Sequence, residues 1–186
     1  MLSFNFNEQK AIAAVLYVSK HLTVQQDIRI TPDFHKIFKI LYFADQQHLA
    51  KYGRPIVGDY YIAMTHGPVP SRIYDMLKIV KGDSIFGDDK NYGAFFDVKN
   101  HYVYPKQDPD MDEFSESDIK CINESLKENE ALGFRSLKDK SHDMAYLKAT
   151  KDDKISISEM AKVAGADEGM LSYIRNVSEN ESALNA

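Results

Sequence analysis

The chain has 186 residues, of which 44% are hydrophobic and 27% are charged, and its formal net charge is -5 at pH 7. Values of this kind are typical of a soluble globular protein, and a chain of this length usually forms one domain. No apolar run approaches the roughly 20 residues that span a bilayer, so no association with a membrane is expected. The acidic balance argues against a protein that coats nucleic acid or an anionic membrane surface.

Two features indicate a cytoplasmic location. The first residues, Met1–Asn5, lack the basic region and the apolar core of a secretory signal. Cys121 is the only cysteine, which excludes an internal disulfide and suits a reducing compartment.

The first part of the chain predicts two helices. Apolar residues recur at helical spacing over residues 8–22. The second predicted helix begins at Thr31-Pro32, where the threonine supplies an N-cap and the proline occupies the first helical position. This helix runs to about Tyr52, and Gly53 is expected to end it.

Two short stretches predict β-structure. Tyr60–Met64 is rich in aromatic and β-branched residues, and a proline-rich turn follows it. After that turn Ser71 can cap a third helix. Residues 95–98 and 102–104 flank Lys99–His101 and are expected to form the strands of a hairpin.

The remaining segments predict further helices. The sequence SESD at Ser115–Asp118 resembles a capping box at the start of a helix near 116–130, and another helix is expected near 136–149. Residues 158–176 predict a helix, a turn at Gly165 and a second helix. The predicted fold class is therefore α+β and mostly helical, a single compact domain with a small antiparallel sheet or hairpin inserted between helices.

The stretch from 52 to 71 combines glycines and prolines in an unusual density. Pro68 and Pro70 bias Gly67 and Val69 toward extended backbone, so the segment is expected to stay stiff until Ser71. Gly53 and Gly58 supply permissive backbone earlier in the stretch. Turn chemistry favours a rigid strand-to-helix corner. A phosphate cradle is the alternative, but neither of the two common glycine-rich phosphate-binding patterns is present.

Asp45 lies within the apolar stripe of the second predicted helix, four residues after Leu41 and four before Leu49. A buried carboxylate needs partners, because burying an unpaired charge is costly. The candidate partners are Arg54, His48, Tyr42, Tyr52 and Tyr61. Asp45 could be a general base or a ligand-binding acid. A structural aspartate that ties the helix to the next loop is the favoured interpretation.

Common catalytic signatures are missing from the sequence. The six histidines form no H-E-x-x-H motif, and no histidine–cysteine set has zinc-ligand spacing. No G-x-S-x-G motif is present, and Cys121 lies between apolar residues that indicate packing. His66 could act as a base on a loop, but no nucleophile stands beside it in the sequence. We therefore expect no catalytic residues, no metal and no cofactor.

Residues 158–176 have the spacing of a helix-turn-helix, with Ala161, Gly165, Leu171 and Ile174 at the characteristic positions. Acidic residues stand at the start of the second helix, where a recognition helix would approach phosphates, and basic residues are sparse. A helical pair packed on the rest of the domain is therefore the favoured interpretation, and DNA is not expected as a partner.

Residues 39–77 resemble the core motif of the Panacea domain, which is found in SocA-like antitoxins that are often phage-associated. The matching positions are Tyr42, Asp45, His48, Tyr52, Gly53, Arg54, Pro55, Gly58, Asp59, Tyr61, Gly67, Pro68, Val69, Pro70 and Ser71. Later segments that begin at Phe114 and Ser136 resemble the family's capped helix and its serine–histidine helix, including His142. Tyr146 stands where the resemblance leads us to expect tryptophan, which is a mild departure from the pattern. The resemblance covers about 8–150.

The resemblance implies a non-enzymatic antitoxin that binds a cognate protein toxin, encoded by an adjacent gene, and neutralises it by direct contact. Toxins paired with this domain are unrelated to one another, so the resemblance does not identify the target. Two alternatives are a proteolytic adaptor that delivers the toxin to a protease and a transcriptional regulator that binds DNA through the C-terminal helix pair. A hydrolase built on Asp45, His48, Arg54 and His66 is a more distant alternative.

The motif residues are interpreted as the scaffold of the domain and as a contribution to the partner surface. A second candidate contact surface surrounds the predicted hairpin, because half of a two-stranded ribbon often remains uncovered. Its aromatic residues are Tyr92, Phe95, Phe96, Tyr102 and Tyr104. Packing in the core is the alternative role for these side chains.

Overall fold

The computed structural model describes residues 2–24, 32–83 and 91–184. These ranges contain eight helices and two antiparallel pairs of short strands, which confirms the predicted α+β, mostly helical fold class. The helices are α1 (Glu8–Val24), α2 (Phe34–Tyr52), α3 (Ser71–Lys81), α4 (Glu116–Asn129), α5 (Phe134–Ser141), α6 (Met144–Lys148), α7 (Ile157–Val163) and α8 (Glu168–Leu184). The strands are β1 (Tyr61–Met64), β2 (Gly67–Pro70), β3 (Phe96–Lys99) and β4 (Tyr102–Pro105).

Helix α2 is the central element, because it contacts α1, α4, α5, α7, α8 and β2. Its apolar residues cover most of its circumference and divide between two hydrophobic clusters. Ile37 and Leu41 belong to the cluster that α1, α3, α4 and the β3–β4 hairpin complete. Tyr42 and Leu49 belong to the cluster that β1 and helices α5–α8 complete. A helix that is apolar nearly all round is expected at the centre of a domain.

The start of α2 differs from the prediction. The helix begins at Phe34, and its N-cap is Asp33, whose carboxylate accepts a hydrogen bond from the Lys36 N–H. Thr31 lies outside the described residues, and the carbonyl of Pro32 accepts a hydrogen bond from Val103 in β4. The end is as predicted: Gly53 has a positive φ of 75° and its N–H donates to the Leu49 carbonyl.

The proline-rich segment after β1 is a strand and not only a turn. β2 pairs with β1 in a register that places Pro70 opposite Tyr61 and Pro68 opposite Ala63. The prolines occupy alternate positions, so they need not interrupt the hydrogen bonds that the other residues make with β1. On its other edge β1 bonds to residues 152–155, where Ile155 donates to the Tyr61 carbonyl at 2.8 Å.

Ser71 does not cap α3, although the helix begins where the sequence indicated. Ser71 is the first helical residue, and the preceding Pro70 has no side chain that could accept a hydrogen bond. The Asp59 carboxylate takes this role from a distance, since it accepts hydrogen bonds from the N–H groups of Arg72 at 3.1 Å and Ile73 at 3.0 Å. A carboxylate from outside the helix therefore accepts hydrogen bonds from the free N–H groups at the start of α3.

The β3–β4 hairpin and the Ser115–Asp118 capping box are present as predicted. The predicted pair of helices with a turn at Gly165 is also present, but its second helix, α8, runs to Leu184 and not to residue 176. The helix expected near 136–149 is instead two helices, α5 and α6. The break occurs at His142–Asp143, where Asp143 caps α6 by accepting from the N–H groups of Ala145 and Tyr146. Within the described ranges, no helix combines the length and apolar character needed to cross a membrane.

Candidate functional site

We name the glycine- and proline-rich stretch at residues 52–71 the motif loop. Gly53 marks its contact with α8. With φ at 75°, a Cβ atom at this position would lie 2.3 Å from the ring of Tyr173 in α8. No real Cβ approaches an aromatic carbon this closely, so a side chain here would displace the Tyr173 ring. The glycine thus serves both the backbone turn at the end of α2 and the packing of Tyr173 against it.

Gly58 marks the contact with the N-terminal segment. A Cβ atom here would lie 2.0 Å from the backbone oxygen of Asn5, and φ is again 75°. The N-terminal segment is also held by the hydrogen bond from Asn7 N–H to the Val57 carbonyl at 2.9 Å. Ser178 of α8 bonds to both the N–H and the carbonyl of Ser3. The loop therefore packs under a segment that α8 also holds.

Gly67 marks a third close approach, between the β1–β2 turn and the helices α2 and α5. Its φ is 99°, and a Cβ atom would lie 2.6 Å from Ser141 Oγ and 2.9 Å from Lys39 Cε. Each of the three motif glycines thus allows a different part of the chain to pack closely against the backbone. The loop is a packing junction, and its glycines are used for close approach and not for a phosphate cradle.

Asp45 is fully buried and ties α2 to the motif loop. One carboxylate oxygen accepts from the Ile56 N–H at 2.7 Å, and the other accepts from the Tyr61 hydroxyl at 2.8 Å. Burial raises the pKa of Asp45 to about 6, although these two hydrogen bonds oppose the shift. The proposed partners Arg54 and His48 bind elsewhere, so only Tyr61 of the expected set hydrogen-bonds to it. This geometry agrees with the favoured interpretation of Asp45 as a structural aspartate that ties α2 to the following loop.

Arg54 and His48 instead meet Asp118, the last residue of the capping box. Arg54 Nη2 lies 2.9 Å and His48 Nε2 lies 3.2 Å from one oxygen of Asp118, and Lys10 Nζ lies 3.0 Å from the other. Burial opposes ionisation of Asp118, but hydrogen bonds from His48, the Ser115 N–H and Lys10, with the Arg54 charge, hold its pKa well below the usual range. This buried carboxylate joins α1, α2 and α4.

His48 also contacts a serine hydroxyl. Its Nδ1 lies 2.7 Å from the Arg54 carbonyl, to which it must donate, and its Nε2 lies 3.0 Å from Ser117 Oγ. A serine beside an oriented histidine is the usual arrangement of an activated nucleophile. Here, however, Nε2 also lies 3.2 Å from the Asp118 carboxylate, and a ring nitrogen that donates to a carboxylate cannot accept the proton of Ser117. The arrangement therefore resembles a structural ion network more than a nucleophilic pair.

Lys39 is a buried cation that the sequence analysis did not single out. Its side chain is 1% exposed, and its ammonium donates to the Pro68 carbonyl at 2.8 Å. Burial lowers the pKa of Lys39 to about 7. Burial and the neighbouring Lys39 lower the pKa of His35 to about 4. The sequence signal for a buried Lys39 was its position on the apolar helix α2. A lysine on such a helix either extends its ammonium group to solvent or is buried.

The serine–histidine segment packs against α2 and β1. Asp143 accepts hydrogen bonds from the Tyr42 hydroxyl at 3.1 Å and from Gln46 Nε2 at 2.7 Å. The His142 and Tyr146 rings stack with centroids 4.1 Å apart, and the Tyr146 hydroxyl donates to the Met64 carbonyl at 2.9 Å. Tyr146 thus stacks on His142 while its polar tip reaches β1.

The remaining motif residues are mostly internal. Pro55, Pro68, Val69 and Pro70 are buried, and Ser71 is half-buried. Tyr52 is 37% exposed, and its ring packs against His48 with centroids 4.8 Å apart. The motif therefore presents little surface besides Tyr52 and part of Arg54.

The hairpin aromatics separate into two groups. Tyr92 and Phe96 are buried in the core, so their interpretation as contact residues is corrected to core packing. Phe95 is partly buried against the same cluster. Tyr102 and Tyr104 are 44% and 40% exposed. They alternate with the buried Val103, so the pleat of β4 directs them to the outer face of the hairpin.

Metal binding is also a question of geometry. Within residues 2–24, 32–83 and 91–184, no group of three or more histidine, cysteine, aspartate or glutamate side chains is placed to hold a metal ion. Cys121 is buried, and burial raises the pKa of its thiol to about 11. A thiol in this environment packs as an apolar side chain.

Comparison with known proteins gives one match. The family model described as antitoxin SocA-like, Panacea domain, matches residues 37–146, which is more than half of the chain. Searches of curated proteins and of solved structures returned no match. The matched range contains the motif loop, the Asp118 network and His142. It does not contain Asn5 or Tyr173, which pack against the motif glycines.

Proposed function

Because the chain belongs to the family of SocA-like antitoxins with a Panacea domain, we propose that it neutralises a protein toxin by binding it directly. The toxin is encoded by an adjacent gene and is not chemically modified. The observation that carries this proposal is the family match over residues 37–146, with the whole glycine–proline motif inside it.

The internal use of the polar motif residues supports binding over catalysis. The carboxylate oxygens of Asp45, Asp59 and Asp118 all accept hydrogen bonds or ion pairs from partners within the protein. His48 is fully buried between the Arg54 carbonyl, Ser117 and Asp118. Side chains committed in this way stabilise a scaffold, and a scaffold of this size can offer the roughly 800 Å² per partner that a specific interface needs.

The two alternatives have weaker support. For a DNA-binding regulator, α8 would have to meet phosphates, but it carries Glu168, Glu179 and Glu181 against a single Arg175. Its Leu171 and Ile174 face the core, so α8 serves as a packed helix. A proteolytic adaptor would also begin by binding the toxin, and it differs only in the fate of the bound protein.

Co-expression tests the proposal. The product of the neighbouring gene is expressed with and without this protein, growth is scored, and the two chains are purified together and weighed by mass spectrometry. We expect rescue of growth and a stoichiometric complex that contains toxin of unaltered mass. A covalently altered toxin would refute the non-enzymatic mechanism. Rescue that disappears in a protease-deficient host, with loss of the toxin in the normal host, would establish the adaptor mechanism instead.

A further inference from the structure

The turn between β1 and β2 lies against a group of basic side chains. The His35 and His66 rings both contact the Phe134 ring, with centroids 4.1 Å and 5.5 Å from it. The Lys39 ammonium donates to the carbonyl of Pro68, just after the turn. We name the four basic side chains around the turn the histidine cluster: His35 and Lys39 on α2, His66 in the turn itself, and His142 between α5 and α6.

His142 is connected to the turn through Tyr146. The two rings stack at 4.1 Å, and the Tyr146 hydroxyl donates to the carbonyl of Met64, the last residue of β1. On the α5 side, a Cβ atom at Gly67 would lie 2.6 Å from the hydroxyl of Ser141, the residue before His142. The turn is therefore seated between α2 and the junction of α5 and α6.

Two buried ring nitrogens of the cluster lack a hydrogen-bond partner. Among the described residues, nothing bonds to His35 Nε2 or to His142 Nε2, and both atoms are shielded from solvent. A neutral imidazole carries a hydrogen atom on only one of its nitrogens, whereas a protonated imidazole carries an N–H on both. Protonation would therefore create, at each position, a buried and charged donor without an acceptor, which is costly.

The charges that act on His35 are positive. Lys39, His66 and Lys36 disfavour its protonated form, while a hydrogen bond with the His66 backbone favours it. The carboxylates that act on Lys36 are those of Asp33 and Glu130. Burial, with the Lys39 charge next in size, lowers the pKa of His35 to about 4.

Positive charges also predominate around His142. Burial lowers its pKa, and the charges that act on it are, in decreasing order, those of Lys138, Lys39, Asp139 and His66. Of these, only the exposed Asp139 favours the protonated form. The neighbouring Asp143 accepts its hydrogen bonds from α2 and from the first amides of α6. In the described part of the chain, none of the four cluster side chains forms an ion pair with a carboxylate.

We propose that the seating of the β1–β2 turn is a pH-sensitive switch built on the histidine cluster. At neutral pH the imidazoles are uncharged, and the turn lies against α2 and the α5–α6 junction. In mild acid, His35 and His142 take up protons and the turn moves away, because water then solvates the new charges and supplies the missing acceptors. This inference goes beyond the proposed function, since the change takes place in the protein alone.

The position of the turn allows it to open without disturbing the core. His66 is exposed, and Phe134, which packs on His35, is 51% exposed. Neither residue belongs to the two hydrophobic clusters that α2 divides. Opening a peripheral segment of this kind costs less free energy than unfolding the domain. Proton uptake therefore favours a local change at the turn.

The direction of the pH effect follows from linkage. A histidine whose folded-state pKa is lowered stabilises the closed turn while it is neutral, so its contribution is complete above about pH 6.5 and is lost as the pH falls toward the folded-state value. For His35 this window runs from 6.5 to about 4. Asp45 and Asp59 change the overall stability in the opposite direction as the pH falls, because burial raises their pKa values. A local probe of the turn is therefore needed.

Amide hydrogen exchange of the full chain at about pH 7.5 and about pH 5 tests the switch, with each rate divided by that of an unstructured peptide at the same pH. If opening returns His35 to its ordinary pKa, linkage predicts about thirtyfold more open turn at the lower pH. We expect the protection of residues 64–69 to fall about tenfold or more, and that of α4 to change less than about twofold. An equal loss of protection in both regions, or no loss in the turn, would overturn the inference.

Variants that cannot be charged identify the responsible side chains. The double variant His35→Gln, His142→Gln should keep the turn protected at about pH 5, to within about twofold of its protection at about pH 7.5. His101→Gln is the matched control, because His101 is an exposed histidine in the turn of the other hairpin, and this variant should open like the wild type. A double variant that opens as much as the wild type would contradict the switch.

A titration of the wild type gives the answer if the double variant does not fold at neutral pH. The ring protons of the six histidines are followed by NMR from about pH 8 to about pH 4. We expect His35 and His142 to remain neutral below about pH 6.5, and the amides of the turn to shift over the same range in which these rings become charged. Titration of both rings at the ordinary value, with no change in the turn amides, would refute the proposal.

Discussion

At the scale of single residues, Asp45 shows how the protein uses a buried acid to fix a loop. Asp45→Ala should lower the free energy of unfolding by about 2–4 kcal/mol, because the Ile56 N–H and the Tyr61 hydroxyl would be left buried without an acceptor. Asp45→Asn should be milder, since its amide oxygen can still accept from Ile56. Urea denaturation of the three proteins measures the difference.

The same variants distinguish a structural role from a direct contact with the toxin. Neutralisation by Asp45→Ala should weaken only as its folded fraction falls. An Asp45→Ala protein that melts like the wild type but no longer neutralises would contradict the structural interpretation and place Asp45 at the partner surface.

Lys39 makes the stability of the protein depend on pH. Burial lowers its folded-state pKa to about 7 from an ordinary value of 10.5. A lysine with a lowered pKa disfavours folding when it is charged, so this penalty is largest at and below about pH 7 and is relieved as the pH rises toward 10.5. The stability of the wild type should therefore increase between pH 7 and pH 10 by an amount on the order of 3–5 kcal/mol relative to Lys39→Met.

The measurement is the unfolding free energy of both proteins at several pH values in this range. Lys51→Met serves as the control, because Lys51 is an exposed lysine whose side chain pairs with Glu124. Parallel pH profiles for the wild type and Lys39→Met would show that Lys39 does not titrate in this window.

At the scale of structural elements, the motif glycines determine how the N-terminal segment and α8 are seated. Gly58→Ala introduces a Cβ atom 2.0 Å from the Asn5 carbonyl oxygen, so the N-terminal segment must move. Gly82→Ala is a matched control, because Gly82 has a similar φ of 82° and no atom within 4 Å of its Cβ position. We expect a loss of about 1 kcal/mol for Gly82→Ala, from backbone strain alone, and of about 3 kcal/mol or more for Gly58→Ala.

Limited proteolysis complements the melting temperatures. Gly58→Ala should expose the segment before α1 to cleavage, whereas Gly82→Ala should leave it protected. Equal stability and equal protection in the two variants would show that the close approach at Gly58 is not needed to hold the N-terminal segment.

At the scale of the whole molecule, the glycine–proline motif packs against parts of the chain that lie outside the family match. Residues 37–146 carry the motif, but Asn5 and Tyr173 pack against two of its glycines, and Ser3 bonds to Ser178 across the sequence. The segment before α1 and the helix α8 thus both pack against the motif loop. Helix α2 connects these regions because its two sides belong to different hydrophobic clusters.

Sequence patterns predicted most elements but not all of their boundaries. The α2 helix, the hairpin and the capping box follow from local propensity and capping chemistry, which act over a few residues. The β2 strand was missed because prolines usually disfavour strands, and their alternate placement matters only once β1 lies beside them. The break between α5 and α6 was missed because the Asp143 cap gains its other partners, Tyr42 and Gln46, from α2.

The sequence by itself determined the fold class, the family and the burial of Asp45, because periodicity, turn chemistry and a long motif are all encoded locally. Only the tertiary structure decided which groups pair. Arg54 and His48 were expected at Asp45, yet they bind Asp118, more than 60 residues away in sequence. The exposure of Tyr102 and the burial of Phe96 were likewise decided by packing. The physical reason is that burial and ion pairing depend on which elements meet in space, and no local pattern specifies that.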